Sequence, residues 1–494
     1  MKKYITLCLG LGFGLLSAQN TLLEKEFWKK QPTLSEVQSE ISKGNSPTEA
    51  NDASFDVVTQ AILADAPIEV ITYLVKLSGN GVNKLTHDSR IYLHWAGYRK
   101  NINLAKWLIK EGASVTHKDS YGYTPLSFAA ITGMDNPEYY DLFFSHGVNI
   151  NETYQDGAKI HQLAIANDTP DLKLLQFFVF KGLNPKDKDN LGHTLADYAA
   201  RSQNPELVKK LIDSGIPTTD AALLFATKGN KKGLDAKPIF DYLTETLNIS
   251  PNVVDKDGNT VLHLFLSGRQ TNDEMAAYFI NKGVNAEQPN SEGITPLMKA
   301  VQRNKKDLVD LIFSKGVQNI NSTTKKGRST LSYAFSNANL PMVGFLVNKG
   351  ADVNIIDDKG NNLAYYAIDS YSSRDKESIE KIVAKLNFLK NEGVDIAKPQ
   401  ADANTMAHWA VKKGNAQLLE ALKPFVTNWN VINAEGLTPL HLAAMTAKDG
   451  TTIEALLQLG ADKNIKTSFD ETAYDLAKDN ELLKDHKEIL KTLK

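Results

Sequence analysis

An all-α solenoid of short helix-turn-helix units is predicted by three observations in this 494-residue chain. A Leu or Ile followed three residues later by Ala returns mostly every 33 to 36 residues, a second apolar helix follows each copy, and a Gly closes most copies. A period in that range marks stacked supersecondary units, none of which can bury its apolar face alone. With 42% hydrophobic and 23% charged residues the composition is that of a folded protein. The 56 Lys and Arg against 58 Asp and Glu give no basic field for a nucleic-acid backbone, so nucleic acid is excluded as a partner.

Residues 1–18 read as a secretory signal peptide. Lys2 and Lys3 precede an uncharged apolar run from Ile5 to Leu16, too short to span a bilayer comfortably, and Ser17-Ala18 offers a small-residue cleavage site. The only cysteine, Cys8, lies in this leader, so disulfides are not expected to stabilise the mature chain and packing between repeats must do so. The expectation is a protein exported from a bacterial cell, periplasmic or secreted, with no membrane insertion after cleavage.

Residues 19–50 read as an N-terminal capping unit whose second helix is Leu34 to Ile41, and residues 51–464 as the repeat array. The clearest copy runs Gly436-Leu437-Thr438-Pro439-Leu440-His441-Leu442-Ala443. With its Thr as the phase residue, comparable positions fall at Asp56, Ile91, Thr124, Ala158, Thr194, Ala221, Thr260, Thr295, Ser329, Asn362, Thr405, Thr438 and Thr472. Eleven of these thirteen carry Ala five residues on, from Ala61 to Ala477. The larger apolar residue two positions after the phase residue shares a helix face with that Ala. Second helices such as Leu308 to Phe313 end in Gly, here Gly316, and turn-rich stretches such as Asp357-Asp358-Lys359-Gly360-Asn361 form hairpin-like tips. Residues 465–494 read as a C-terminal capping repeat.

On these residues the chain resembles the ankyrin repeat family, whose signature is Thr-Pro-Leu-His-x-Ala. Thr438 to Ala443 matches fully, and Thr124 to Ala129 and Thr295 to Ala300 match except at the His. About fourteen units are implied. Three intervals break the period. Ala221 to Thr260 is lengthened near Lys231, Asn362 to Thr405 is lengthened near Tyr371 with a longer second helix, and Thr194 to Ala221 is shortened at its tip.

No catalytic, cofactor-binding or metal-binding residues are predicted. His94, His161, His263, His408 and His441 share one repeat position, which spreads them along the stack rather than converging them on an ion. The resemblance gives this His a role in hydrogen bonding between adjacent turns. His87, His117, His146, His193 and His486 read as solvated surface, and no nucleophile-elbow, phosphate-loop or dinucleotide pattern occurs. Aromatics recur four residues after the phase residue at Trp95, Phe128, Tyr198, Phe225, Tyr333, Tyr366 and Trp409, and read as packing between first helices. The resemblance places recognition on the tips and the concave face. The partner-binding candidates are therefore Tyr121, Tyr123 and Tyr154 in the early tips, Lys325, Lys326 and Arg328 around Gly327, and Glu435 and Leu437 around Gly436.

The predicted function is that of a non-catalytic scaffold, not an enzyme and without cofactors, recognising a protein partner. Two rivals share the sequence: a regulatory or protective accessory of an exported enzyme or toxin, and an enzyme or ligand-binding protein with its site near Lys231 or Tyr371.

Overall fold

A computed structural model describes residues 20–229, 235–268 and 271–494. Among these, 28 α-helices, short 3-10 turns and one π-helical turn are joined by loops, and isolated bridges are the only β-structure. This is the all-α solenoid expected. The leader at 1–18, and Lys231 in the lengthened loop, lie outside the described residues. The chain divides after Ile249 into two compact units.

Within each compact unit, first helices pack on first helices and second helices on second helices. In the first, Tyr92–Tyr98 lies against Pro125–Thr132, and Ile102–Lys110 against Pro137–Ser145. In the second, Pro296–Gln302 packs on Thr330–Asn337, and Asp273–Asn281 on Lys306–Ser314. At the N-terminal end Lys25–Lys29 meets Val57–Leu63 in the same way, and Leu34–Ser42 meets Ile68–Lys76. The eleven alanines of the period are all fully buried, as close approach of first helices demands.

Local chemistry starts each first helix where the Thr of the motif stands. The Thr124 hydroxyl accepts the Ser127 amide at 3.2 Å while the Ser127 hydroxyl accepts the Thr124 amide at 2.9 Å, a reciprocal cap followed by Pro125 in the first turn.

One repeat is out of the predicted register. The helix assigned from Ala158 has its cap at Lys159 and begins at Ile160. Gln162, not His161, accepts the cap amide, Lys159 N to Gln162 Oε1 at 2.8 Å. Counted from Lys159, the conserved-offset Ala is Ala164, fully buried, and His161 stands where Leu126 and Leu262 stand in other repeats. The grouping of His161 with the other four is therefore corrected: it is fully buried and does not take the cap amide.

The irregular intervals have local solutions. At the shortened tip, Asp197 bridges to the next repeat, accepting Thr219 N at 2.7 Å and Thr219 Oγ1 at 2.9 Å. In the interval after Asn362 the second helix is Ser378–Asn391, fourteen residues long as the spacing predicts. The loop at Tyr371 is a turn closed by Ser372 N on Ser378 Oγ at 3.0 Å and by the Lys381–Asp375 ion pair. On that helix Lys385 is buried, and its Nζ donates to the Phe335 carbonyl at 2.7 Å, near the C-terminal end of Thr330–Asn337.

Burial, with Lys381 nearby, pushes the Lys385 ammonium down to about 8. Between pH 8 and the unfolded value near 10.4 the unfolded chain then holds more protons than the folded one, so stability rises with pH in that window. Relative to Lys385→Met, the wild type is expected to gain up to about 1.4 kcal/mol per pH unit from pH 8 to 10. Urea unfolding of both proteins at pH 8, 9 and 10 checks this; a difference independent of pH would refute it.

Candidate partner-binding surface

Several tips are held by their own first residue, five positions before the helix cap. Asp119 Oδ1 accepts the amides of Tyr121 and Tyr123 at 2.9 Å, Asp357 Oδ1 those of Lys359 at 2.9 Å and Asn361 at 2.8 Å, and Asn433 Oδ1 those of Glu435 and Leu437 at 3.0 Å. These are side-chain mimics of a backbone turn. The carbonyl three before one cap then accepts the amide four before the next: Asp88 from Ser120, Asp156 from Asn190, Asp257 from Ser291, Glu292 from Lys325, Lys326 from Asp358 and Asp402 from Ala434. At these six junctions the backbones of neighbouring tips are thus tied together while side chains at fixed offsets vary.

The offset from the cap decides which candidates reach solvent. Tyr121, Lys325, Lys326 and Glu435, three or four positions before their caps, are exposed. Tyr123, Arg328 and Leu437, one position before their caps, are half-buried and lie over the first helices. Arg328 stacks on Tyr333 at 4.3 Å and Tyr366 at 4.8 Å, with Nη2 donating to Ser336 Oγ at 3.1 Å. Tyr154 does not project as a tip residue. In the corrected register it occupies the turn-holding position of Asp119, half-buried with its hydroxyl beside Thr124, and burial raises its phenol above the usual range. The structure therefore groups Lys325, Lys326 and Arg328 on one tip and Glu435 and Leu437 on another, and leaves Tyr154 half-buried against Thr124.

Other tip residues share the exposed offset and escape a reading of single motifs. Leu191 and Phe469 stand in the place of Tyr121, and Phe469 is 83% exposed against 66% for Tyr121. Lys359 stands in the place of Lys326 and is also exposed. Arg90 stands in the place of Arg328. The signal for each was present as a constant distance from the phase residue.

The recurrent aromatics are packing residues, as expected: Trp95, Phe128, Tyr198, Phe225, Tyr333, Tyr366 and Trp409 are all buried. Three of them also pin their own tip. Trp95 Nε1 donates to Thr86 Oγ1 at 2.8 Å, and the hydroxyls of Tyr198 and Tyr366 donate to Asp189 and Asp357 at 2.7 Å.

Four of the five motif histidines link repeats. His94, His263, His408 and His441 accept the cap amide at Nδ1, at 3.1 to 3.3 Å, and donate from Nε2 to a carbonyl of the next tip, at 2.8 to 3.1 Å. An amide can only donate and a carbonyl only accept, so these bonds fix the neutral Nε2–H tautomer. Burial lowers all four, His94 and His408 to about 4. Three histidines expected to be solvated also bond within the tips. His87 Nδ1 meets the Ala53 carbonyl at 2.7 Å, His117 Nε2 the Ser89 carbonyl at 2.8 Å, and His193 Nδ1 the Asp189 carboxylate at 2.7 Å. Among the described residues no group of three or more His, Cys, Asp or Glu could hold a metal ion, and no helix is long and apolar enough to cross a membrane.

The family described as "Ankyrin repeats (3 copies)" matches residues 59–154, 223–324 and 375–467, more than half of the chain. Among curated relatives, ankyrin repeat protein L371 of Acanthamoeba polyphaga mimivirus is 29% identical over 37% of this chain and 22% of its own length. The B-cell lymphoma 3 protein homolog of Mus musculus is 26% identical over 49% of this chain and 47% of its own. The chain thus spans about a fifth to a half of the length of these relatives. A solved chain from the complex of the predatory endopeptidase Bd0816 of Bdellovibrio bacteriovorus with immunity protein Bd3460 is similar at TM-score 0.32 and 21% identity. That alignment covers 40% of this chain and 95% of the other.

Proposed function

Because the chain belongs to the ankyrin repeat family, we propose that it is a non-catalytic scaffold that binds a protein partner through its tips and the adjoining faces of its first helices. The observation that carries this reading is the tip ladder. A recurrent tip backbone presents a varying side chain three residues before the cap, and large apolar residues, Tyr121, Leu191 and Phe469, stand exposed at that position. Side chains held on a stiff support lose little entropy on binding, and exposed aromatic groups supply interface anchors.

The protein acts outside the cytoplasm of a bacterial cell, exported by its leader, in the periplasm or beyond. The order Lys2-Lys3, apolar run and Ser17-Ala18 supports this. Mass analysis of the mature protein from the extracytoplasmic fraction is expected to find Gln19 as the first residue; a chain retaining Met1 in the cytoplasm would refute export.

Affinity capture from that fraction tests the scaffold. The variant Tyr121→Ala, Leu191→Ala, Phe469→Ala is expected to keep its far-ultraviolet circular dichroism, because these side chains are exposed, and to retain at least tenfold less partner. Equal recovery by wild type and variant would exclude these tips as the contact.

A further inference from the structure

We propose that two adjacent tips of the second compact unit, 324–328 and 357–361, form a docking site for an acidic segment of the partner, anchored by Arg328 and flanked by Lys325, Lys326 and Lys359. The inference rests on the protein-binding reading above and adds the chemistry of the segment bound.

The first observation is the order of charge along the ladder. Three residues before the cap, successive repeats of this unit carry Asp257, Glu292, Lys326, Lys359, Asp402, Glu435 and Phe469. Tips neighbouring in sequence are tied to each other by backbone bonds, Ser291 N to Asp257 O at 2.8 Å, Lys325 N to Glu292 O at 2.9 Å and Asp358 N to Lys326 O at 3.3 Å. The charges therefore form spatial blocks: two acidic tips, two basic, two acidic. Lys325, Lys326 and Lys359 are exposed and none is in an ion pair with a described residue.

The second observation is an internal comparison of two arginines at one offset. Arg90 in the first compact unit stacks on Trp95 at 5.2 Å and Phe128 at 4.4 Å. Its Nε donates to Asp119 at 2.9 Å and its Nη1 to Asp88 at 3.0 Å, so two carboxylates neutralise it. Arg328 has the same aromatic sandwich and lacks both carboxylates. Lys326 stands in the place of Asp88, and Asp357, in the place of Asp119, is taken by the Tyr366 hydroxyl at 2.7 Å and Asn361 Nδ2 at 3.0 Å. The Arg328 Nε is buried and left with no acceptor, so an outside carboxylate would meet the rest of the half-buried guanidinium. A guanidinium held by stacking, without a counter-ion and with lysines around it, is built for a carboxylate from outside.

The length of the basic block selects the partner. Glu292 on one side and Asp402 on the other would repel a continuous phosphate backbone, whereas a few consecutive acidic side chains fit between them and complementary ends extend the match.

The test uses the full chain with hexaglutamate as the probe, read by the Arg328 Nε–H resonance and by calorimetry at low salt. Hexaglutamate is expected to shift that resonance saturably, with affinity falling as salt rises. Lys326→Asp, which rebuilds the Asp88 arrangement of the other unit, is expected to weaken binding at least tenfold with the circular dichroism unchanged, and Glu454→Gln, on the exposed side of the second helix Thr451–Gln458, to leave it within twofold. Unchanged affinity in Lys326→Asp overturns the docking site, as does an Arg328 resonance that hexaglutamate does not move. Inorganic phosphate of matched ionic strength shifting it as strongly would reduce the site to a general anion contact and overturn the segment reading. Lys326-dependent binding of hexaglutamate, combined with no partner captured by the wild type, would overturn the scaffold reading alone.

Discussion

Lowering the pH from 6.5 to 4 is expected to strip the repeats of about 3 kcal/mol for each of His94 and His408. Burial holds both rings neutral and brings each down to about 4, and the backbone amide on Nδ1 needs that nitrogen's lone pair, while the carbonyl on Nε2 opposes the shift. A lowered folded value means the unfolded chain takes up protons first. The stabilisation is therefore present above pH 6.5 and is lost as pH falls towards 4, at most about 1.4 kcal/mol per unit for each ring. Protonating Nδ1 also abolishes its bond to the cap amide, so hydrogen exchange at the Ile91 and Thr405 amides should accelerate in the same window. Gln162 shows that a neutral amide can fill this position, accepting the cap amide and donating to the Asp187 carbonyl at 3.3 Å. The double variant His94→Gln, His408→Gln is accordingly expected to lose about 6 kcal/mol less between pH 6.5 and 4 in urea unfolding. An acid slope identical to that of the wild type would reject the assignment.

His161 gives the contrasting case. It is buried at a leucine position and lacks the cap-amide bond that the other four make, so His161→Leu is expected to leave the chain at least as stable at neutral pH in urea unfolding.

That residue also marks where the sequence stops being legible. The period, the alanines and the caps are local signals that repeat, and a mismatch at one copy is outvoted by the rest. At Ala158 two signals conflict: the cap is a Lys, whose side chain cannot act as Thr124 does, and a His stands one place from where the motif would put it. Only the fully buried Ala164 and the bond from Lys159 to Gln162 resolve the register. The same shift of one residue moves Tyr154 from a projecting position to one turned against Thr124. For the tips, residue type suggested contact but the direction of each side chain depends on its offset from the cap. Lys326 projects while Arg328, two residues later, lies across Tyr333 and Tyr366. The vacancy beside Arg328 was illegible because it depends on Asp357 preferring the Tyr366 hydroxyl, a contact between residues nine apart in sequence.

Gly327→Ala and Gly436→Ala make the same change at the same repeat offset, and the first is expected to cost about 3 kcal/mol, the second about 1. Both glycines are left-handed, φ 70° and 80°, so a Cβ is strained at either. At Gly436 the added atom would meet nothing nearer than Ser468 Oγ at 3.7 Å, so strain is the whole cost. At Gly327 it would stand 2.6 Å from Asp358 N and 2.8 Å from Asp357 Cα, backbone atoms of the next tip that cannot rotate away. Relief requires the two tips to part, which breaks the bond from Asp358 N to Lys326 O and moves Lys326 away from Lys359. The amide of Asp358 should then exchange faster in Gly327→Ala and keep its protection in Gly436→Ala. Hexaglutamate affinity should fall only in the first, since separating cations weakens the field they share over one ligand. Equal destabilisation of the two variants would mean that the tips yield freely to one another, and a docking site made from two of them would lose the rigidity on which its affinity depends.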